Sequence, residues 1–262
     1  MSEPAIQLKD LKLSISGKEI LKGISLDINK GDFMSIIGPN GAGKTTMIKC
    51  ISRVYTNWTG NIAVNGKDIH KISQRELARQ ISYVPQAEGR SLPFSAFEFV
   101  LMGRYPHLSP FTSVSGNDKK LVEEAMEMAG VLKFRDRRLN TLSGGERQMV
   151  FIAAALAQGA DILLLDEPAS FLDYKHQVQV MQLLSRLHRE RNITVVSVSH
   201  DINTAIETSR QIAALHNGSV IFNGTPEQTA EPAVLERIYD TSFEFTPPPH
   251  RPLPLITPGG KV

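Results

Sequence analysis

The chain has 262 residues, 29 Lys and Arg against 27 Asp and Glu, and a net charge of +2, with 41% hydrophobic residues. That is apolar material for one large α/β domain or one and a half ordinary ones, and the near-neutral balance, with no basic stripe, argues against nucleic acid as a partner. The single cysteine, Cys50, cannot form an internal disulfide; it reads as a small buried apolar residue, which fits a reducing cytosol.

The N-terminal Met1-Ser2-Glu3-Pro4 carries no apolar signal-peptide region. The longest apolar run, Val150 to Ala157, makes about two helical turns, far short of a membrane span. Any membrane role is therefore expected to run through a partner. The Asn-x-Ser/Thr matches at Asn57, Asn192, Asn217 and Asn223 read as chance in a chain without an export signal.

Residues 5–37 read as strands: Ile6, Leu8, Leu11, Leu13 and Ile15 alternate roughly, and Ile24, Leu26 and Ile28 repeat the pattern. Asn29-Lys30-Gly31-Asp32 fits the guanine-reading N-K-x-D pattern, but it precedes the phosphate loop and no D-x-x-G occurs, so it reads as a turn. Phe33–Ile37 is an apolar strand. Gly38-Pro39-Asn40-Gly41-Ala42-Gly43-Lys44-Thr45 then fits G-x-x-x-x-G-K-[ST], and Thr46–Ile51 reads as the following helix. Each residue type has a reason. Glycines let bare backbone wrap a polyphosphate. N–H groups at the helix start face anionic oxygens. Lys44 brings a point charge to the outer phosphates, and the Thr45 hydroxyl suits a magnesium ion that keeps most of its waters.

Asn61–Val64 reads as a strand, Asn65-Gly66 as a turn and Gln74–Arg79 as a helix. Ile81–Val84 is a strand ended by Pro85-Gln86, which places Gln86 to sense magnesium or water. The stretch from about 87 to 159 looks mainly helical. Within it, Phe97, Leu101 and Tyr105 share one helical face, with Glu98 and Met102 on the next. Residues 118–129 make an amphipathic helix stopped by Gly130. Ser143–Ala157 is a second. It opens on Leu142-Ser143-Gly144-Gly145-Glu146, in which Ser143 and Glu146 form a capping box. A cap does not account for two glycines in the first turn, which weaken a helix. They make sense if an anion must reach the bare N–H groups there.

Asp161–Asp166 is a buried strand ending in acids. An aspartate placed like Asp166 holds magnesium through water, and the adjacent Glu167 can polarise an attacking water. Tyr174–Arg191 is a helix, and Ile193–Ser199 a valine-rich strand. His200 follows it, at a strand end from which it can reach a terminal phosphate. Gln211–Phe222 reads as a hairpin turning at Asn217-Gly218, and Pro226–Tyr239 as one closing helix. The proline-rich stretch from Thr246 to Val262 reads as an extended or disordered tail. Alternating strands and helices point to a mostly parallel sheet flanked by helices.

Together these motifs resemble the ATP-binding subunit of an ABC transporter, over essentially the whole chain. Gly38–Thr45 matches the Walker A motif, Gln86 the Q-loop glutamine, Leu142–Glu146 the LSGGE signature and Ile162–Asp166 the Walker B strand. Glu167 matches the catalytic glutamate, Ser170–Asp173 the D-loop, with Phe171 where a small residue is common, and His200 the switch histidine. The resemblance implies a P-loop NTPase of the ABC type, with an N-terminal antiparallel β subdomain and a helical subdomain at about 87–159 in a domain of residues 1–245. ATP would be held by Gly38 to Thr46, and Mg2+ by Thr45, Gln86 and Asp166. Catalysis would fall to Glu167, His200 and Gln86. Ser143, Gly144, Gly145 and Glu146, with Asp173 of the D-loop, would act across a head-to-tail homodimer.

Phe97 to His107 is similar to the segment after the Q-loop in importers of iron–siderophore, haem and cobalamin complexes. That likeness implies two permease subunits at the cytoplasmic face of the membrane, with a solute-binding protein as an indirect partner, and Phe94 to His107 is expected to be the docking surface. Arg104 and Glu98 would orient the contact at its rim. Transport of another substrate, or a soluble non-transport ABC ATPase, are the competing readings; the latter usually carries tandem domains or a long coiled-coil insertion, and neither is present. One departure stands out. Leu13 to Lys18 holds no aromatic residue to stack on adenine, which predicts modest base selectivity.

Overall fold

A computed structural model describes residues 4–86, 92–108, 113–247 and 253–259. The chain runs β1 (Ile6–Ile15), β2 (Lys18–Ile28), β3 (Phe33–Ile37), α1 (Lys44–Ile51), β4 (Thr59–Val64), β5 (Lys67–Asp68), α2 (Gln74–Gln80), β6 (Ile81–Val84), α3 (Ala96–Met102), α4 (Gly116–Met128) and α5 (Gly144–Gln158). It continues with β7 (Ile162–Asp166), α6 (Tyr174–Arg191), β8 (Thr194–Val198), α7 (Ile202–Thr208), β9 (Gln211–His216), β10 (Ser219–Gly224), α8 (Pro226–Thr229), α9 (Pro232–Tyr239), β11 (Phe243–Thr246) and β12 (Leu255–Pro258). Among the described residues, no helix is long and apolar enough to cross a membrane.

Two compact units emerge, one of residues 1–69 with 194–262, the other of 70–193. In the first, β2, β1, β4 and β5 lie side by side as an antiparallel sheet. The apolar pattern of β1 takes a three-residue step from Leu8 to Leu11, and a register shift sits there, with Asp10 at φ 49°. The bulge absorbs the extra residue, so Leu8, Leu11 and Leu13 all stay buried. Asn29 to Asp32 is a turn, closed by the Asp32 N–H on the Asn29 carbonyl at 3.2 Å. β3 pairs in parallel with β8 and with β9, and β10 returns antiparallel to β9 around Asn217-Gly218. All five residues of β3 and of β8 are buried, the pattern of strands covered on both faces.

Two expectations for this unit are corrected. The closing helix is two helices, α8 and α9, because Pro232 lacks the N–H that would continue α8 and instead starts α9. The tail is not extended throughout: β11 and β12 form an antiparallel pair, with Ile256 buried against Ile206, Leu235 and Ile238. Proline content hid a strand whose stability comes from core contact. Residues 248–252 and 260–262 of that tail lie outside the described residues, as do Met1 to Glu3 and the start of the 87–159 stretch.

In the second unit, β6 and β7 pair in parallel, and α3, α4 and α5 pack together. Serine caps begin each of these helices: Ser95, Ser115 and Ser143 all form capping boxes. Arg104 is not at a docking rim. It is buried, pairs through Nε with Asp118 Oδ1 at 3.1 Å, and donates from Nη1 to the Ala157 carbonyl at 2.8 Å. Phe97 lies under the Arg135 guanidinium and Phe99 stacks on Phe151 at 4.8 Å, so both half-buried rings have partners within the unit. Met102 and Tyr105 are the exposed apolar side chains of this segment. Charge reversal at Arg104 should therefore destabilise the fold rather than undock it. Leaving Asp118 buried without its partner is expected to cost about 3–5 kcal/mol and to lower Tm by roughly 10 °C, which a thermal melt of Arg104→Glu would read. An unchanged melt would return Arg104 to the surface.

Candidate functional site

In the first unit the phosphate loop leaves the buried end of β3. Gly38 has φ 134°, and a Cβ there would lie 2.0 Å from the Leu215 carbonyl oxygen of β9. Only glycine allows the loop to start so close to its neighbour. The ammonium of Lys44 is buried at 5% exposure and is held by the carbonyls of Gly38 at 2.7 Å and Pro39 at 2.9 Å. Its charge is thus centred on the loop. Gly43, at φ 100°, caps α1 without a side-chain acceptor, so a phosphate oxygen can take the place a capping side chain would fill. Thr45 and Thr46, half-buried, stand in the first turn; Pro39, Asn40 and Gly41 form the outer loop. The Ala42 carbonyl accepts from Gly218 N–H at 3.1 Å, tying the loop to the β9–β10 turn.

β8 runs parallel to β3 with Ile36 opposite Val198, and Ser199 N–H donates to the Ile36 carbonyl at 3.1 Å. His200 and the phosphate loop therefore leave the same end of adjacent strands, where ligands of open parallel sheets bind. His200 is exposed. Asp201 caps α7 by accepting from Asn203 N–H at 2.9 Å and Thr204 N–H at 3.2 Å.

In the second unit, Val84 lies opposite Leu165, so Gln86 and the Asp166-Glu167 pair also share one strand end. Asp166 is 3% exposed and accepts from the Tyr83 hydroxyl at 3.3 Å. Glu167 sits at φ 52°, a left-handed conformation uncommon for a residue with a side chain, and such strain gathers at functional sites. Its Oε2 accepts from Gln86 Nε2 at 3.0 Å and from Ser170 Oγ at 3.0 Å. A carboxylate held this way keeps its direction while a water approaches the other oxygen. Magnesium takes oxygen donors, and each unit offers some: the Thr45 hydroxyl in the first, the Asp166 carboxylate and Gln86 amide in the second.

Ser143 caps α5, accepting from Glu146 N–H at 3.2 Å, while Glu146 Oε2 accepts from Ser143 N–H at 2.9 Å. The bond from Ser143 N–H holds the Glu146 carboxyl below the usual range. The two glycines differ. Gly144 is exposed, and a Cβ there would meet nothing within 4 Å. Gly145 is buried, and its Cβ would fall 2.2 Å from the His176 ring. At Gly145 the missing side chain also makes room for His176 of the same chain, a reason for glycine that the sequence does not show. That imidazole also meets both oxygens of Asp173 at 2.8 Å, and Asp173 caps α6 on the His176 N–H at 2.9 Å.

Sequence reasoning missed Tyr83, His176, the bond of Ser170 to Glu167, and Tyr239, whose hydroxyl accepts from Gly38 N–H at 3.3 Å. All but Ser170 lie outside recognisable motifs. The Ser16-Gly17 turn between β1 and β2 carries no ring, as read from sequence. GTP is therefore expected to compete with ATP in a nucleotide-binding titration. Because Ser16 sits at φ 50°, hostile to a bulky side chain, Ile15→Tyr is the better rescue, and it should tighten ATP about five-fold if the ring stacks. Strong ATP preference in the unmodified protein would show that another side chain covers the base.

Residues 21–170 match the family model described as ABC transporter. The iron(3+)-hydroxamate import ATP-binding protein FhuC of Bacillus subtilis (strain 168) is 36% identical over 251 residues, covering 96% of this chain and 93% of that protein. The ferric enterobactin transport ATP-binding protein FepC of Escherichia coli (strain K12) is 35% identical over 264 residues, covering 100% and 97%. Among solved structures, a metal-chelate type ABC transporter in an inward-facing conformation matches with a TM-score of 0.85 at 25% identity, over 99% of each chain. The dimeric bacterial ABC transporter cassette MJ0796 matches with a TM-score of 0.74 at 31% identity, over 84% of this chain and 98% of that one. A phosphate loop, a held carboxylate after a buried strand, and a signature helix, in a chain similar to these along its length, lead to one conclusion: the protein belongs to the ABC transporter family as an ATP-binding subunit, and it is an ATP hydrolase.

Proposed function

We propose that this subunit hydrolyses ATP to drive import of an iron–siderophore complex through a partner permease. The geometry that carries the hydrolytic part is Glu167, its Oε2 held by both Gln86 and Ser170 directly after the buried Asp166. In this reading Gly38 to Thr46 bind the ATP phosphates, with Thr45, Asp166 and Gln86 serving Mg2+ directly or through water. Glu167 is the general base, and His200 and Gln86 sense the terminal phosphate. Ser143, Gly144, Gly145, Glu146 and Asp173 complete the site of a second copy in a homodimer of nucleotide-binding domains. The domain takes in the C-terminal hairpin of β11 and β12 as well as residues 1–245, with a helical subdomain at about 87–159. Similarity along the whole chain to subunits named for iron-hydroxamate and ferric enterobactin supports the substrate class; haem and cobalamin have no such support among those relatives.

The subunit would sit at the cytoplasmic face of the membrane, bound peripherally to two permease subunits, with a solute-binding protein acting through them. Tyr105 at 78% exposure and Met102 at 45% are the residues we assign to that docking. The double substitution Met102→Ser, Tyr105→Ser should leave the fold and basal ATP hydrolysis intact, abolish co-purification with the permease, and stop uptake of labelled ferric siderophore in cells. Uptake that persists in a strain lacking the protein would remove the substrate assignment and leave the ATPase untouched. Uptake of cobalamin or haem alone, lost on deletion, would redirect it.

A further inference from the structure

The C-terminal hairpin of β11 and β12 is tied to the nucleotide machinery of its own unit at two points. The first is Tyr239, the last residue of α9. The Phe243 ring of β11 packs edge-on against it, with centroids 5.7 Å apart at 69°. Its hydroxyl accepts from the N–H of Gly38, the first residue of the phosphate loop, at 3.3 Å. Burial pushes the phenol up to about 12, and the nearby Asp201 carboxylate acts in the same direction. The hydroxyl therefore stays neutral while standing near both the phosphate loop and the segment after His200.

The second point is Asn203, in the first turn of α7. Its side-chain amide makes a two-way pair with one residue of β12: Nδ2 donates to the Ile256 carbonyl at 2.8 Å, and Oδ1 accepts from Ile256 N–H at 2.9 Å. A side-chain amide thus takes the place of the next strand beside β12. Ile256 itself is 4% exposed, packed in a cluster with Ile206, Leu235 and Ile238. Asp201, two residues before Asn203, is the cap that sets where α7 begins and so where His200 stands.

We propose that the hairpin is a brace for ATP binding and hydrolysis, in which Tyr239 positions the start of the phosphate loop and Asn203 positions the His200 segment. Neither residue reaches the nucleotide; both act through a group that does. The Tyr239 arm rests only on ATP binding by the phosphate loop, whereas the Asn203 arm rests on the reading of His200 given above, so the two arms can fail separately.

The test measures fluorescent ATP-analogue affinity, steady-state hydrolysis and thermal melting on the full-length protein. Tyr239→Phe keeps the ring and removes the acceptor for Gly38 N–H; it should weaken nucleotide affinity about five-fold with kcat at saturation unchanged, the effect of losing one hydrogen bond. Asn203→Ala cuts the hairpin from α7 without touching the loop; it should lower kcat about five-fold with affinity unchanged. Leu255→Ser, on the exposed side of the hairpin, serves as the control and should change neither. The split between the two parameters is the signature, because loss of stability alone would not divide them. If both variants melt earlier yet keep the parent's affinity and kcat, the hairpin only stabilises the fold and the brace is wrong. Should Tyr239→Phe fail to fold, an unchanged kcat in Asn203→Ala overturns the proposal and a lowered kcat at unchanged affinity upholds it.

Discussion

Glu167→Gln is expected to slow ATP turnover by at least about 100-fold, the usual scale for a lost general base, while ATP remains bound. The amide has the size of the carboxylate and retains an oxygen that can accept from Ser170 Oγ and Gln86 Nε2, which now meet the carboxylate at 3.0 Å each. The left-handed backbone at φ 52° is no worse for Gln than for Glu. What disappears is the basic oxygen that draws a proton from water. Bound ATP without turnover should hold two copies together, so light scattering should report a stable dimer in ATP. Lys44→Ala makes the contrast. It removes the ammonium held by the Gly38 and Pro39 carbonyls, and nucleotide binding itself should fail. Steady hydrolysis by Glu167→Gln would take Glu167 out of the reaction.

Gly144→Trp, combined with Glu167→Gln, is expected to abolish that ATP-dependent dimer while ATP still binds the single chain. A side chain at Gly144 meets nothing within 4 Å in its own chain, so the fold should accept it and melting should move little. In a head-to-tail pair the same side chain would stand where the second nucleotide must touch the helix start. Gly145 is unsuitable for this test, because a Cβ there collides with His176 and would disturb Asp173 as well. A Gly144→Trp variant that still dimerises in ATP would leave the capping box as the whole explanation of Ser143 and Glu146.

Where the chemistry is local in sequence, it could be read without a structure. The phosphate loop needs backbone without side chains, a lysine and a hydroxyl within eight consecutive residues, so Gly38 to Thr45 are legible at once. The same holds for the Ser143 cap and for the acids ending β7, since helix caps and strand ends are decided by neighbours a few positions apart. Pairings between distant segments left no such trace. Gln86 and Glu167 each stand out in the sequence, but only the parallel register of β6 and β7 shows that they bond to each other. Arg104 looked like a surface charge until Asp118 and the Ala157 carbonyl enclosed it; a buried ion pair is invisible in a pattern that counts charged residues as exposed. Gly144 and Gly145 looked alike in sequence, and packing separated them, because the difference is a histidine ring brought from a different helix. The C-terminal hairpin shows the same limit from the other side. Its prolines argue against a strand, yet Ile256 is buried among residues of α7 and α9, and that burial, with the Asn203 amide, outweighs local propensity. Local steric and hydrogen-bonding needs are written along the chain; the partners that satisfy buried groups are chosen by tertiary packing.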